Sequence, residues 1–102
     1  NGANNNIALP NKSFIRITLV DPDSEAAFSI SGIAKPDNPD GRVVILYNTT
    51  SQHMTITNDA TSTAANRILT NTGADVVTTG TGIVSLIYSV TDARWILLTS
   101  LL

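Results

Sequence analysis

Cysteine is missing from this 102-residue sequence, and its absence excludes disulfide bonds, thiolate zinc sites and thiol catalysis. Charge is scarce as well: only 14% of the residues are charged, against roughly 25% in ordinary globular domains. The net charge is −2, and the six basic residues are spread along the chain, at Lys12, Arg16, Lys35, Arg42, Arg67 and Arg94. Because a phosphate-binding surface needs clustered basic residues, nucleic acid is not a predicted partner.

Long hydrophobic runs and a signal-peptide pattern are also lacking. No apolar run approaches the roughly 20 residues that a membrane helix needs, so no membrane insertion is predicted. The chain starts at Asn1 rather than Met, which predicts a fragment or a processed piece of a longer protein. We expect an extended lead-in over residues 1–13 and a single β-sandwich domain over residues 14–102.

Hydrophobic residues nevertheless make up 42% of the chain, and β-branched and aliphatic residues recur in runs between Gly, Pro, Asn and Asp. These runs predict about eight strands, at residues 14–20, 27–33, 42–48, 53–57, 67–70, 75–78, 82–89 and 94–99. The short intervals between turns favour an all-β, jelly-roll-like sandwich with Greek-key connections. The run at 42–48 is almost continuously apolar, which predicts a central strand covered on both faces.

The sequence offers no catalytic constellation. His53 is the only histidine and begins a predicted strand, and no serine lies in a G-x-S-x-G or S-x-x-K motif. A general base needs a positioned partner, and nothing near His53 in the sequence supplies one. We therefore expect no enzyme activity, no catalytic residue and no cofactor.

A weak metal-binding pattern occurs at Asp21, Asp23 and Glu25, whose carboxylates alternate as they do in calcium-binding loops. The glycine and the later glutamate of an EF-hand loop are missing, and Pro22 favours an ordinary turn. The turn is the preferred interpretation, and calcium binding at these three carboxylates is the alternative.

A structural anchor is predicted around Arg67, which follows a loop of small residues. An ion pair between Arg67 and either Asp75 or Asp59 would hold that loop in place, and Asn66 is positioned to bond backbone amides there. We prefer this structural interpretation of Asn66, Arg67 and Asp75 to ligand binding.

The C-terminal leucines are the least expected feature. Leu97 and Leu98 fall on opposite faces of the last predicted strand, so both faces of that strand require cover. Leu101 and Leu102 continue the apolar character to the chain end, where charged and frayed residues are usual. Either these side chains fold back on the core or, as we expect, Leu98, Leu101 and Leu102 contact another subunit.

Several short motifs, in one order over nearly the whole chain, resemble a β-domain found at the ends of tail-fibre, head-fibre and other virion proteins of bacteriophages and prophages. The motifs are Asn5-Asn-Ile-Ala-Leu-Pro10, Ile30-Ser-Gly-Ile33, Asp40-Gly-Arg-Val-Val-Ile-Leu-Tyr-Asn48, Ser62-Thr-Ala-Ala-Asn-Arg-Ile68, Thr72-Gly-Ala-Asp75, Leu86-Ile-Tyr88 and Arg94-Trp95. The segment 35–40 departs from the Gly-rich sequence that is frequent there in this family.

The resemblance implies a non-enzymatic structural domain at the virion surface, outside cells. It implies a homotrimer, the tip or head of a fibre or spike, that contacts other virion proteins and contributes to attachment to a host-surface glycan or protein. It transfers no ligand-binding residue. Two alternatives remain open: a capsid decoration protein that binds the virion shell, and a monomeric carbohydrate-binding module. Attachment to the head or to the tail is equally open.

Overall fold

The alternation of apolar and polar residues produces short strands throughout. The structure, a computed structural model, describes residues 2–8, 12–18 and 27–101, with the backbone alone described at residues 2 and 99–101. The described residues form nine strands: β1 (Gly2–Asn4), β2 (Phe14–Ile17), β3 (Phe28–Ile30), β4 (Val43–Asn48), β5 (Met54–Ile56), β6 (Ile68–Leu69), β7 (Val76–Thr78), β8 (Gly82–Ser89) and β9 (Arg94–Leu101). The predicted all-β sandwich is confirmed, and β1 lies within the segment predicted to be an extended lead-in.

Two sheets form the sandwich. The four-stranded sheet has the order β1-β3-β5-β7, and the five-stranded sheet has the order β2-β4-β8-β9-β6. From β1 to β8 each strand lies in the sheet opposite to that of the strand before it. Among the first five strands the pairing is parallel: β1 pairs with β3, β2 with β4 and β3 with β5.

The remaining pairings make both sheets mixed. β6 is parallel to β9, whereas β5–β7, β4–β8 and β8–β9 are antiparallel. Parallel neighbours need a crossover connection, and here the crossover runs through a strand of the other sheet. This mixture of directions is a property of the topology that the run-and-turn pattern of the sequence did not predict.

The core lies between the sheets and is built from alternate residues of each strand. Buried residues of the four-stranded sheet face buried residues of the five-stranded sheet, the full apolar set being Phe28, Ile30, Ile33, Val44, Leu46, Met54, Ile56, Ile68, Val84, Leu86, Tyr88 and Trp95. Burial of these side chains is the main favourable contribution to folding, at about 1.5–3 kcal/mol for each large aliphatic side chain.

Trp95 and Tyr88 close one end of the core. Their rings pack edge to face, with centroids 5.1 Å apart and planes at 88°. Each polar tip finds a carbonyl: Trp95 Nε1 donates to Ile33 O at 2.9 Å and Tyr88 Oη donates to Ala65 O at 2.7 Å. Because buried aromatic polar atoms require such partners, these two bonds fix the segments around Ile33 and Ala65 against the five-stranded sheet.

Candidate functional site

Three segments that are far apart in the sequence meet at a cluster of polar side chains, the polar junction, defined here as Asn5, Asn6, Ser31, Ser62 and Asn66. Ser31 Oγ lies 2.5 Å from Asn5 Oδ1 and 2.6 Å from Ser62 Oγ. The Ser31 hydroxyl donates to Asn5, so the Ser62 hydroxyl donates to Ser31. Ser62 Oγ also accepts the backbone N–H of Asn6 at 2.9 Å. Each of the two serine hydroxyls therefore donates one hydrogen bond and accepts another.

Asn6 and Asn66 complete the junction. Asn6 Oδ1 accepts the backbone N–H of Thr63 at 2.8 Å and the side-chain amide of Asn66 at 2.9 Å. Asn66 Oδ1 accepts the backbone N–H of Lys35 at 2.9 Å. Asn6 adopts a positive φ of 47°, a conformation that Asn tolerates better than most residues. The junction therefore ties residues 5–7 to two distant loops.

Gly32 allows the backbones to approach this closely. A Cβ atom at Gly32 would lie 2.6 Å from Ser62 Oγ and would also collide with the Asn66 carbonyl oxygen. On either side of Gly32, Ser31 N donates to Asn4 O and Ile33 N donates to Asn66 O, both at 3.0 Å. Glycine is required here by space rather than by a positive φ.

Next to the junction lie two arginines and one carboxylate. Arg94 Nε donates to Asp59 Oδ1 at 2.8 Å, whereas Arg67 Nη1 is 3.9 Å from the same oxygen. Arg67 Nε instead donates to the Ser62 carbonyl at 2.8 Å. All three side chains are partly exposed, at 22% for Arg94, 32% for Arg67 and 37% for Asp59. Such pairs contribute little stability in water, and their role is to orient the loop.

The predicted anchor residues are thus distributed over two contacts. Asn66 belongs to the junction and accepts a backbone N–H, and Arg67 lies beside the junction, where it donates to the Ser62 carbonyl. Asp75 lies in a neighbouring contact, where its Oδ1 accepts the backbone N–H of Asn58 at 2.8 Å. Sequence reasoning missed Arg94, which makes the closer ion pair with Asp59. Only the parallel pairing of β6 with β9 brings Arg94 near that loop, and no local signal in the sequence reports that pairing.

Other predicted site residues lie elsewhere. Asp21, Asp23, Glu25 and Leu102 are outside the described residues, and the side chain of Leu101 is not described. Within residues 2–8, 12–18 and 27–101, no group of three or more His, Asp or Glu side chains is arranged to hold a metal ion. No helix in the described part of the chain is long and apolar enough to span a membrane.

A second feature is the outer face of the five-stranded sheet, which we call the apolar face. The strand register shows which residues form a row across this face, since residues opposite one another on paired strands share a face. Val43 pairs with Ile87, and Ile87 pairs with Ile96. The alternate residues of β4 and β8 point into the core and are buried, so these three point outward. The apolar face is formed by Phe14, Val43, Ile45, Tyr47, Ile83, Ile87, Ile96 and Leu98.

The margins of the apolar face carry its most exposed side chains. Phe14 is 47% exposed, and its ring centroid lies 6.0 Å from that of Tyr47. The guanidinium of Arg16 lies 5.3 Å from the centre of the Tyr47 ring, within the range of a cation–π contact. Leu98, at 56% exposure, falls where the β8–β9 register shifts, since Leu97 pairs with Leu86 and Thr99 with Ser85. Leu98 is the extra residue of a bulge, which re-aims its side chain.

Comparisons of the chain with protein-family models, with curated proteins and with solved structures returned no match.

Proposed function

We propose that this chain is a non-enzymatic structural domain of a phage-type virion, the tip or head of a trimeric fibre or spike that contributes to host-surface attachment. In this proposal the domain lies at the virion surface, associates with two further copies of itself and contacts other virion proteins.

One observation carries the proposal: the motifs behind the family resemblance converge on the polar junction. Asn5 and Asn6, the Ser31-Gly32 pair and the segment 62–68 supply the junction itself. Tyr88 and Trp95, from two more of the motifs, bond to the backbone on either side of it. The residues of these motifs thus form one hydrogen-bonded unit of the fold, and this convergence is the observation that supports the proposal.

The apolar face supports the part of the proposal that concerns self-association. Its rows are mainly apolar, with Ser85 and Arg16 among the outward residues, although solvent-exposed faces of sandwich sheets are usually polar. A chain with so little charge also gains from burying such a face in an assembly. Leu98 lies at the margin of this face, and we assign Leu101 and Leu102 to the same subunit contact.

Attachment is assigned to one end of the sandwich, where the segment 35–40 lies beside the β8–β9 turn. Asp40 Oδ1 accepts the backbone N–H of Val90 at 3.2 Å, which joins the two loops. Val90 is 49% exposed, and Lys35, Asp37, Asn38 and Asp40 are exposed as well. A mixed apolar and polar loop surface of this kind suits weak contacts that an oligomer repeats.

The mass of the purified chain in solution tests the proposal. Light scattering on a sizing column is expected to give three times the chain mass of 10.8 kDa. A mass of one chain throughout the micromolar range would contradict the trimer and favour the monomeric carbohydrate-binding module. A trimer that binds no component of a glycan array and no host cell surface would favour capsid decoration.

A further inference from the structure

We infer that the edge of β3 and the adjoining loops form a binding site for an extended strand, filled here by residues 2–7 of the same chain and able to take the same segment of a second copy. This site, the acceptor groove, consists of the β3 edge on which β1 lies, together with Ser31, Gly32, Ile33, Ser62 and Asn66. It goes beyond the proposed function, because it is a peptide-binding site with a sequence of its own to recognise, and it does not depend on the trimer.

Residues 2–7 bind to the acceptor groove as an added strand. β1 is the edge strand of its sheet and pairs only with β3. Backbone bonding continues past the end of β1: Ile7 N donates to Gly32 O at 3.0 Å, and Ile7 O accepts the N–H of Ala34 at 2.7 Å. In strand addition of this kind the main chain supplies affinity, and side-chain contacts supply specificity.

Three consecutive side chains of the segment contact the rest of the domain. Asn5 Oδ1 accepts a serine hydroxyl of the groove. Asn6 Oδ1 accepts two donors, the backbone N–H of Thr63 at 2.8 Å and the side-chain amide of Asn66 at 2.9 Å. Ile7 packs against the core. A bound strand therefore needs two neighbouring amide side chains followed by an aliphatic one.

The segment lies on the surface, whereas the groove beneath it is buried. The side chains of residues 3–8 are all exposed or half-buried. Four residues of the groove are buried, namely Ser31, Gly32, Ile33 and Ser62. The buried apolar residues that form the core lie between Phe28 and Trp95. Since burial of such residues is the main favourable contribution to folding, the segment contributes to the domain as a bound ligand would.

One exposed peptide bond allows the segment to be separated from the domain without a mutation. Trypsin cleaves after Lys and Arg, and Lys12 and Ser13 are exposed and precede β2. Arg16 lies within β2, and Lys35 precedes Pro36, before which trypsin does not cleave. The other three basic residues have their backbone bonded or paired in the fold: Arg42, Arg67 and Arg94. Hydrolysis of the Lys12–Ser13 bond adds one water, leaves a carboxylate on Lys12 and an amine on Ser13, and makes residues 1–12 a separate peptide.

The experiment starts from the full chain cut by trypsin at Lys12–Ser13, with the single cut verified by mass spectrometry. On a sizing column under native conditions, we expect the peptide 1–12 to elute with residues 13–102. A fluorescent synthetic peptide of residues 1–12 takes the place of the segment of a second copy. It should replace the bound peptide and raise the fluorescence anisotropy, and an excess of unlabelled peptide should reverse the rise.

Two variant peptides test which side chains the groove recognises. Asn6→Ala removes the acceptor of two hydrogen bonds, so this peptide should bind about tenfold more weakly. Ala3→Ser changes an exposed side chain and should bind as the unchanged peptide does. Equal binding of the Asn6→Ala peptide would contradict recognition by the polar junction.

Amide hydrogen exchange of the intact chain gives a second measurement, which needs no cleavage. The N–H groups of Ser31 and Ala34 are bonded to carbonyls of the segment, whereas the N–H of Thr57 is bonded to Ile30 O within the sheet. Because a bound segment opens locally at a lower free energy than the whole domain, Ser31 and Ala34 should exchange about tenfold faster than Thr57 or more. Equal exchange would mean that the segment opens only with the whole domain, and would overturn the acceptor groove.

These outcomes are distinct from those of the mass measurement. If the cut chain loses the peptide and takes up none of the synthetic one, or loses its sheet spectrum in circular dichroism, the acceptor groove is overturned and the trimer is unaffected. A monomeric intact chain whose cut form exchanges the peptide would support the groove and overturn the trimer.

Discussion

The two outer faces of this sandwich differ more than its two inner faces do. Inward residues of both sheets are mostly large and apolar, whereas outward residues are Ala, Ser, Thr and Val on the four-stranded sheet and mainly Ile, Val and Tyr on the five-stranded sheet. The shared core explains the apolar residues of the inner faces. The outer faces differ because a sheet face in water usually carries polar residues, as the four-stranded sheet does at Ser29 and Thr55, whereas the row Val43, Ile87 and Ile96 of the five-stranded sheet is apolar.

The largest expected effect is a difference in stability loss between substitutions on the inner and on the outer face of β8. Leu86→Ala, at a fully buried position, should lower the free energy of unfolding by about 2–5 kcal/mol. Its neighbour Ile87 points outward, and Ile87→Ala should cost about 1 kcal/mol in a dilute monomeric sample. Urea denaturation measures both variants.

Protein concentration sharpens this comparison. If the apolar face is covered in an assembly, the cost of Ile87→Ala should rise with protein concentration toward that of Leu86→Ala. A cost that is small and independent of concentration would indicate that the two outer faces are equally exposed.

An intermediate effect is expected at the polar junction, which ties residues 5–7 to two distant loops. Gly32→Ala should lower the free energy of unfolding by about 3 kcal/mol, because its Cβ meets Ser62 and the backbone of Asn66. Gly73→Ala is the control. It has a φ of +79° and open space around its Cβ, so only backbone strain of about 1 kcal/mol is expected. Equal losses in thermal or urea denaturation would mean that the junction yields to the added methyl group.

The smallest effect is a pH dependence at Tyr88, on the inner face of β8. Burial raises the pKa of its hydroxyl above the ordinary value of 10.0, and nearby Arg94 opposes the rise. The folded protein then holds this proton more tightly than the unfolded chain. The resulting stabilisation is complete below the unfolded pKa and is lost as the pH rises through the folded pKa.

Tyr88→Phe isolates that contribution. The variant loses the hydrogen bond to Ala65, at about 1 kcal/mol near neutral pH, and should lose less stability than the wild type between about pH 9 and 12. Urea midpoints over this range give the comparison. An identical alkaline decline in both proteins would contradict a role for Tyr88 ionisation.

Local patterns predicted the strands but not their partners. Alternation and apolar runs indicated β2, β4, β8 and β9, because side-chain burial depends on the period of two within each strand. The parallel pairing of β1 with β3 joins residues 26 positions apart, for instance Gly2 with Phe28. That pairing depends on contacts such as Asn6 with Ser62, which no window of neighbouring residues contains.

The candidate sites were likewise predicted where they depend on local sequence, and not where they depend on strand pairing. The apolar run at 42–48 was predicted to be covered on both faces, whereas β4 buries only its inner face, and its outer residues Val43, Ile45 and Tyr47 are half-buried. The sequence thus indicated that both faces of this strand are apolar. It did not indicate that only one of the two sheets has an apolar outer face. The role of Asn66 as an anchor was predicted, because an Asn beside Arg67 can bond backbone amides. The contribution of Arg94 depended on the register of β6 against β9.

The passage of the chain from sheet to sheet has a consequence for folding kinetics. Because β1, β2 and β3 lie alternately in opposite sheets, no hairpin nucleates the first three strands, and each ladder closes a long loop. High contact order of this kind places a two-state domain among the slower folders, in milliseconds to seconds. Apart from the β8–β9 hairpin, every ladder joins strands that are separated in the chain by a strand of the other sheet, so we expect the two sheets to form together.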